Sequence, residues 1–202
     1  MTVGILDYGL GNIRSVEKAL LKISHNPKII KSPEELFSCE AMIIPGVGTY
    51  KEAMSLLDKK HFTEAIIRFA KEGKILVGIC LGMQILSDRG VESGLTNGLG
   101  LISGEVVKIE QVNNRKVPHL GWNDVLFTRN HASVEELNNK DFYFIHSFHF
   151  KVDAKDNVLA TTNYDGETLV SAVNKDNIYG FQFHPEKSQK AGLSLLNKIL
   201  SA

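Results

Sequence analysis

Cys80 lies in Gly78-Ile79-Cys80-Leu81-Gly82, immediately after the apolar run Ile75-Leu76-Val77. A cysteine two residues from a glycine on either side, between a strand and a helix, has the form of a nucleophile elbow with sulfur in place of the usual oxygen. Such a turn lifts the side chain out of the sheet, and the glycines remove the Cβ atoms that would collide in it. A helix starting near Gly82 would place its N-terminal dipole beside the sulfur and favour the thiolate. The backbone N–H of Leu81, the next residue, would point to where an oxyanion forms. Taken alone, the segment is equally open to a buried packing cysteine. The other cysteine, Cys39 in Leu36-Phe37-Ser38-Cys39, has no glycine neighbours and reads as packing.

A nucleophilic thiol needs a base, and the base needs an orienting group. Ile178-Tyr179-Gly180-Phe181-Gln182-Phe183-His184-Pro185-Glu186 contains both. Phe181 and Phe183 share one strand face, His184 arrives at its end, and Pro185 stops it. In extended chain Glu186 lies on the same side as His184, where its carboxylate can accept from one ring nitrogen and leave the other facing the thiol. A second turn, Pro45-Gly46-Val47-Gly48, follows the run Ala41-Met42-Ile43-Ile44. Glycines on both sides of a peptide let its N–H turn toward a ligand, so the N–H of Val47 is a candidate partner for that of Leu81 in an oxyanion hole. The same freedom predicts a peptide that can rotate between two orientations.

These residues must be held by a sheet. Residues 1–86 alternate short apolar strands with segments of helical spacing, such as Ile13, Val16, Ala19, Leu20 and Ile23, which predicts a doubly wound, mostly parallel sheet with flanking helices. After Gly94 the chain becomes β-rich. Strand-like runs cover Leu101–Val112, Asp141–Val152, Asn157–Tyr164, Thr168–Asn177 and Ile178–His184, and an amphipathic helix closes the sequence. A single α/β domain over 1–202 is expected.

Composition excludes several classes. Hydrophobic residues are 43%, charged residues 23%, and formal net charge is zero, so no nucleic-acid or anionic-membrane partner is indicated. No apolar run approaches the roughly 18 residues of a membrane span, and no basic leader precedes the first strand. Two cysteines suit a reduced, cytoplasmic protein. Asp7-Tyr8-Gly9-Leu10-Gly11-Asn12 resembles the start of a dinucleotide fingerprint, but Arg14 stands where the third glycine belongs. No histidine–cysteine cluster has metal-ligand spacing. Neither a metal nor a cofactor is expected.

Together "GICLGMQ", "PGVG" and "FQFHPEKS" resemble the class I, triad-type glutamine amidotransferases, whose fold is flavodoxin-like. "ILDYGLGNIRSV", "VPHLGWN" and "YFIHS" extend the resemblance over essentially the whole chain. They bring it closest to the branch of glutaminase subunits of imidazole glycerol phosphate synthase (HisH type). Val47 within Pro-Gly-x-Gly, Met83 after the second elbow glycine and Lys187 after Glu186 separate it from the anthranilate-synthase branch. The resemblance implies that Cys80 attacks the carboxamide of L-glutamine, that His184 moves the proton and that Glu186 holds His184. It implies that Gly48, Gln84, Glu92, Ser147 and Phe148 surround the glutamine. It further implies a heterodimer with a separate (β/α)8-barrel cyclase (HisF type) that receives the ammonia, with Asn12, His119, Trp122, Tyr143 and Lys187 at the interface. A sugar-modifying synthase of surface polysaccharide is the alternative recipient, and a non-catalytic scaffold subunit the alternative of another class.

Overall fold

The computed structural model describes residues 1–112, 115–128 and 134–201. The strands are β1 (Thr2–Leu6), β2 (Asn26–Ile30), β3 (Ala41–Gly46), β4 (Ile75–Cys80), β5 (Arg89–Gly90), β6 (Thr96–Asn97), β7 (Gly104–Lys108), β8 (His119–Phe127), β9 (Lys140–His146), β10 (Phe148–Val152), β11 (Val158–Tyr164), β12 (Glu167–Lys175) and β13 (Ile178–Phe181). The helices are α1 (Ile13–Lys22), α2 (Pro33–Leu36), α3 (Tyr50–Lys59), α4 (Phe62–Lys71), α5 (Leu81–Gln84) and α6 (Gln189–Leu200). No helix among the described residues is long and apolar enough to cross a membrane.

The main sheet has nine strands in the order β2-β1-β3-β4-β13-β12-β11-β8-β9. Pairing is parallel from β2 through β13 and antiparallel from β13 to β9. The sheet is therefore mixed rather than mostly parallel, because the β-rich second half adds β12, β11, β8 and β9 to it in antiparallel pairing. The run Asp141–Val152, read as one strand, breaks at Ser147. β9 stays in the main sheet, while β10 crosses into a second sheet ordered β10-β7-β5-β6.

Alternation along each strand divides the core between the two faces. Val3, Ile5, Ala41, Ile43, Val77 and Ile79 face α1 and α6 through Val16, Leu20, Leu195 and Ile199. Leu6, Met42, Ile44 and Leu76 face α3 and α4 through Tyr50, Leu57, Phe62, Ile66 and Phe69. Each fully buried phenylalanine contributes about 2–3 kcal/mol by leaving water. Side-chain caps start the helices: Asn12 accepts from the N–H of Ser15 at 3.3 Å, and Thr49 from that of Glu52 at 3.4 Å.

β1, β3, β4 and β13 run the same way, so their C-terminal ends share one edge. Register sets what meets there. Gly46 pairs with Cys80, and Phe181 pairs with Ile79. Val47 and His184, each just past its strand, consequently converge on Cys80.

Candidate active site

Cys80 ends β4 with φ 55° and ψ −110°, a conformation that L residues rarely hold. Its surroundings enforce it. A Cβ at Gly78 would collide with the carbonyl of Gly82, and one at Gly82 with the carbonyl of Ile44. At Gly46 a Cβ would lie 2.8 Å from the Gly82 nitrogen and 3.0 Å from the Tyr8 hydroxyl. Three glycines thus let two strand ends and the start of α5 pack backbone against backbone. α5 has only four residues, so the helix dipole expected behind the thiol is a short one.

The thiol donates to the carbonyl of Ile145 in β9 at 3.8 Å, and the Gln182 amide donates to the sulfur at 3.8 Å. His184 is 2% exposed, and its Nδ1 donates to Glu186 Oε1 at 2.8 Å. Glu186 reaches it by a single 3-10 turn over Pro185–Lys187, not along extended chain as the i, i+2 argument supposed, because Pro185 turns the backbone as soon as the strand stops. Ser188 staples that turn to β9: its hydroxyl donates to the His184 carbonyl at 2.6 Å and accepts from the Tyr143 N–H at 3.0 Å.

His184 Nε2 is buried and has no hydrogen-bond partner among the described residues. Burial is the largest influence on this ring and lowers its pKa. Interaction with Cys80 and with Glu186 outweighs it, and the net effect is a rise to about 9. The sulfur and Nε2 are thus coupled electrostatically without a well-directed bond between them, an arrangement common in a catalytic pair before substrate closes it.

A cavity of about 200 Å³ opens above these groups, lined by Val47, Gly48, Cys80, Leu81, Gln84, Glu92, Ile145, His146, Phe148 and His184. It has room for several waters or one small amino acid. A larger hollow of about 740 Å³ lies around Arg115, Lys116 and Tyr164, with neither a cysteine nor a histidine among the described residues that line it. Gly48 holds φ 118°, which suits glycine. One oxygen of Glu92 accepts from the N–H of Tyr50 at the start of α3 at 2.8 Å. Gln84 Nε2 donates to the Phe148 carbonyl at 2.8 Å and to Gln182 Oε1 at 3.0 Å. Ser147 sits at the β9–β10 junction, where its carbonyl accepts from the Ile109 N–H at 2.9 Å, and it does not line the cavity.

Of the residues expected on a docking face, Asn12 and Lys187 are exposed, Trp122 is 49% exposed, and Tyr143 is half-buried. Trp122 packs edge-on against Tyr143, and the Lys187 ammonium lies 5.6 Å from the Tyr143 ring centre. His119 departs from that expectation. It is 2% exposed, stacked between Phe144 and Tyr164, because its position in β8 points to the opposite face from Leu120 and Trp122.

Three residues of the site had no distinguishing sequence signal. Gln182 touches the sulfur but reads as an interruption between Phe181 and Phe183. His146 and Ser188 act through contacts with distant elements. Only the crowding of polar residues into otherwise apolar strand ends could have pointed to them.

Comparison with known proteins agrees with this geometry. The family description "Glutamine amidotransferase class-I" matches residues 4–200. The imidazole glycerol phosphate synthase subunit HisH of Geobacillus sp. (strain WCH70) is 42% identical, covering 98% of this chain and 96% of that one. The subunit HisH of Methanosarcina barkeri is 43% identical over 97% and 96%. Among solved structures, a glutamine amidotransferase superposes with a TM-score of 0.77 at 22% identity, covering 99% of both chains. PurLQS from Thermotoga maritima gives 0.79 at 20% identity, covering 99% of this chain and 97% of that one. A thiol on a strained elbow faced by a histidine–glutamate pair, on a chain matched from end to end, makes this protein a member of the class I glutamine amidotransferase family.

Proposed function

We propose that this chain is the glutaminase subunit of a two-chain imidazole glycerol phosphate synthase. It hydrolyses L-glutamine to glutamate and passes the ammonia to a separate (β/α)8-barrel cyclase in the cytoplasm. The observation that carries the reading is the meeting of Cys80 and His184 on the wall of one small cavity, with Glu186 behind His184 on its Nδ1. The naming of relatives about 42% identical over nearly the full length supports the synthase assignment.

The Cys80 thiol loses its proton to His184 Nε2, and the sulfur attacks the carboxamide carbon of glutamine. The resulting oxyanion is stabilised by the N–H groups of Val47 and Leu81. His184 returns the proton to the amide nitrogen, the C–N bond breaks, and ammonia leaves behind a glutamyl thioester. Water, deprotonated by His184, then cleaves the thioester to glutamate and restores the thiol. Glu186 keeps Nδ1 protonated throughout, so Nε2 remains the working atom. Gly48, Gln84, Glu92 and Phe148, which line the cavity, bind the glutamine in this reading, and Ser147 stands behind them at the β9–β10 junction.

The outer face of the β8–β9 hairpin suits the cyclase. Leu120, Trp122, Leu126 and Ile145 are all exposed there, and Leu120 pairs with Ile145 across the strands. Apolar side chains clustered on one face at a sheet edge mark a contact surface. The carbonyl of Ile145 also receives the Cys80 thiol, so β9, which forms part of this face, touches the nucleophile.

The test is glutamate release from L-glutamine by the purified chain, alone and with the cyclase and its ribulose-phosphate ligand. Low turnover alone and a large rise with both is the expected result. A rise with a sugar-modifying synthase instead would reassign the recipient. No thioester with a glutamine analogue, even with partner present, would leave a scaffold subunit.

A further inference from the structure

His119 and His146 are both nine-tenths buried or more, and neither takes part in the proposed chemistry. His119 Nδ1 lies 3.0 Å from His146 Nε2, and His146 Nδ1 lies 2.9 Å from the carbonyl of Phe148. Asn123 Nδ2 lies 3.4 Å from His119 Nε2. Burial holds both rings neutral, pushing His119 down to about 4 and His146 to about 3.

One assignment of protons satisfies every contact. A carbonyl only accepts, so His146 Nδ1 carries the proton and its Nε2 is a bare lone pair. That lone pair requires a donor, so His119 Nδ1 is protonated and its Nε2 is bare. The Asn123 amide N–H then donates to His119 Nε2. Asn123 Oδ1 accepts from the Asp124 N–H at 2.9 Å, which fixes the amide the right way round. The chain is directional, and it ends on Phe148.

The Phe148 carbonyl thus receives two donors, His146 Nδ1 and Gln84 Nε2. Both side chains line the cavity that holds Cys80. Were His146 to adopt its other tautomer, a lone pair would face the carbonyl oxygen at 2.9 Å, and two buried acceptors would repel. The peptide after Phe148 would turn, and the β9–β10 wall of the cavity with it.

We infer that His146 is a positioning residue for glutamine binding, and that His119 acts through it: a neutral two-imidazole relay locks the Phe148 carbonyl and the cavity wall beside Cys80. The inference rests on the glutaminase reading for its substrate. A positioning role predicts an effect on KM rather than kcat.

The experiment compares His146→Asn with His146→Gln in the complex with the cyclase. The asparagine amide occupies the place of Nδ1 and keeps a donor to Phe148. The glutamine amide occupies the place of Nε2, keeps the contact with His119 and leaves Phe148 one donor short. We expect KM for glutamine about tenfold higher in His146→Gln than in His146→Asn, with kcat within about twofold. A packing role predicts the reverse order, because asparagine leaves the larger void. Equal KM values, or that reverse order, would overturn the inference. Ring-15N spectra of the unsubstituted chain give a readout independent of turnover and of variant folding. Protons on both Nδ1 atoms, with coupling from His119 Nδ1 to His146 Nε2, are expected. A proton on His146 Nε2 would sink the relay whatever the kinetics. Failure of the parent complex to hydrolyse glutamine would instead sink the glutaminase reading and leave the tautomers to be judged by the spectra alone.

Discussion

Gly82 packs its α-carbon against the carbonyl of Ile44, so closely that no β-carbon fits between the helix after the nucleophile and the neighbouring strand. The contact forces α5 onto β3 and, through the paired Gly46 and Cys80, holds the thiol at its positive φ. Gly82→Ala should destabilise the fold by about 2–3 kcal/mol, the cost of overpacking a site whose neighbour is rigid backbone. It should also abolish glutamine hydrolysis in whatever fraction folds. Urea unfolding with glutamate release checks both. A variant of parental stability and activity would show that the elbow is not backbone-limited.

The His184 ring should owe its high pKa to Cys80. Burial lowers it, and Cys80 and Glu186 together raise it from 6.5 to about 9. With Cys80→Ala, burial remains and one of the two opposing influences disappears, so the ring should titrate lower, as read from its Cε1 proton in NMR. The sign for stability follows from the raised folded value. The contribution is complete below 6.5 and is lost as pH rises through about 9. Across that window the parent should lose stability more steeply than Cys80→Ala. Identical titrations in the two chains would mean that the sulfur does not act on the ring.

Glu186→Gln preserves an oxygen that can accept from His184 Nδ1 but removes the charge that stabilises the imidazolium. kcat should fall about a hundredfold with KM little changed, because the loss is of acid–base power and not of binding. The buried Oε2 of Glu186 has no partner among the described residues, so the new amide N–H finds no acceptor there and a modest loss of stability should accompany it. An unchanged kcat would reduce Glu186 to a structural partner.

The parts of this site that were legible in the sequence are those whose constraint is local. Glycines two residues either side of Cys80 announce a tight turn, and Pro185 announces the end of a strand just after His184. What was not legible depends on pairing over long distances. His119 meets His146 only because β8 and β9 pair with those two residues in register. Gln182 reaches the sulfur only because β13 lies beside β4. β8 itself carries no strand signature in the sequence, for a physical reason. Its outward residues Leu120, Trp122 and Leu126 are apolar and exposed, so the usual alternation of apolar and polar residues is erased. The same outward face misled the assignment of His119, which sits in the docking motif but points inward.

Trp122 gives the most direct test of that outward face. It is 49% exposed, rests edge-on against Tyr143 at 5.9 Å between ring centres, and is carried by a strand whose other face is already packed. Its removal therefore opens no cavity in the free chain. Trp122→Ala should leave the unfolding midpoint of the isolated subunit within about 0.5 kcal/mol of the parent. It should weaken association with the proposed cyclase partner by about 2 kcal/mol or more, the loss typical of a central aromatic anchor. Calorimetric titration of the two chains, beside urea unfolding of the free one, separates these effects. A destabilised free chain would make Trp122 a core residue. Unchanged affinity would move the docking surface away from β8.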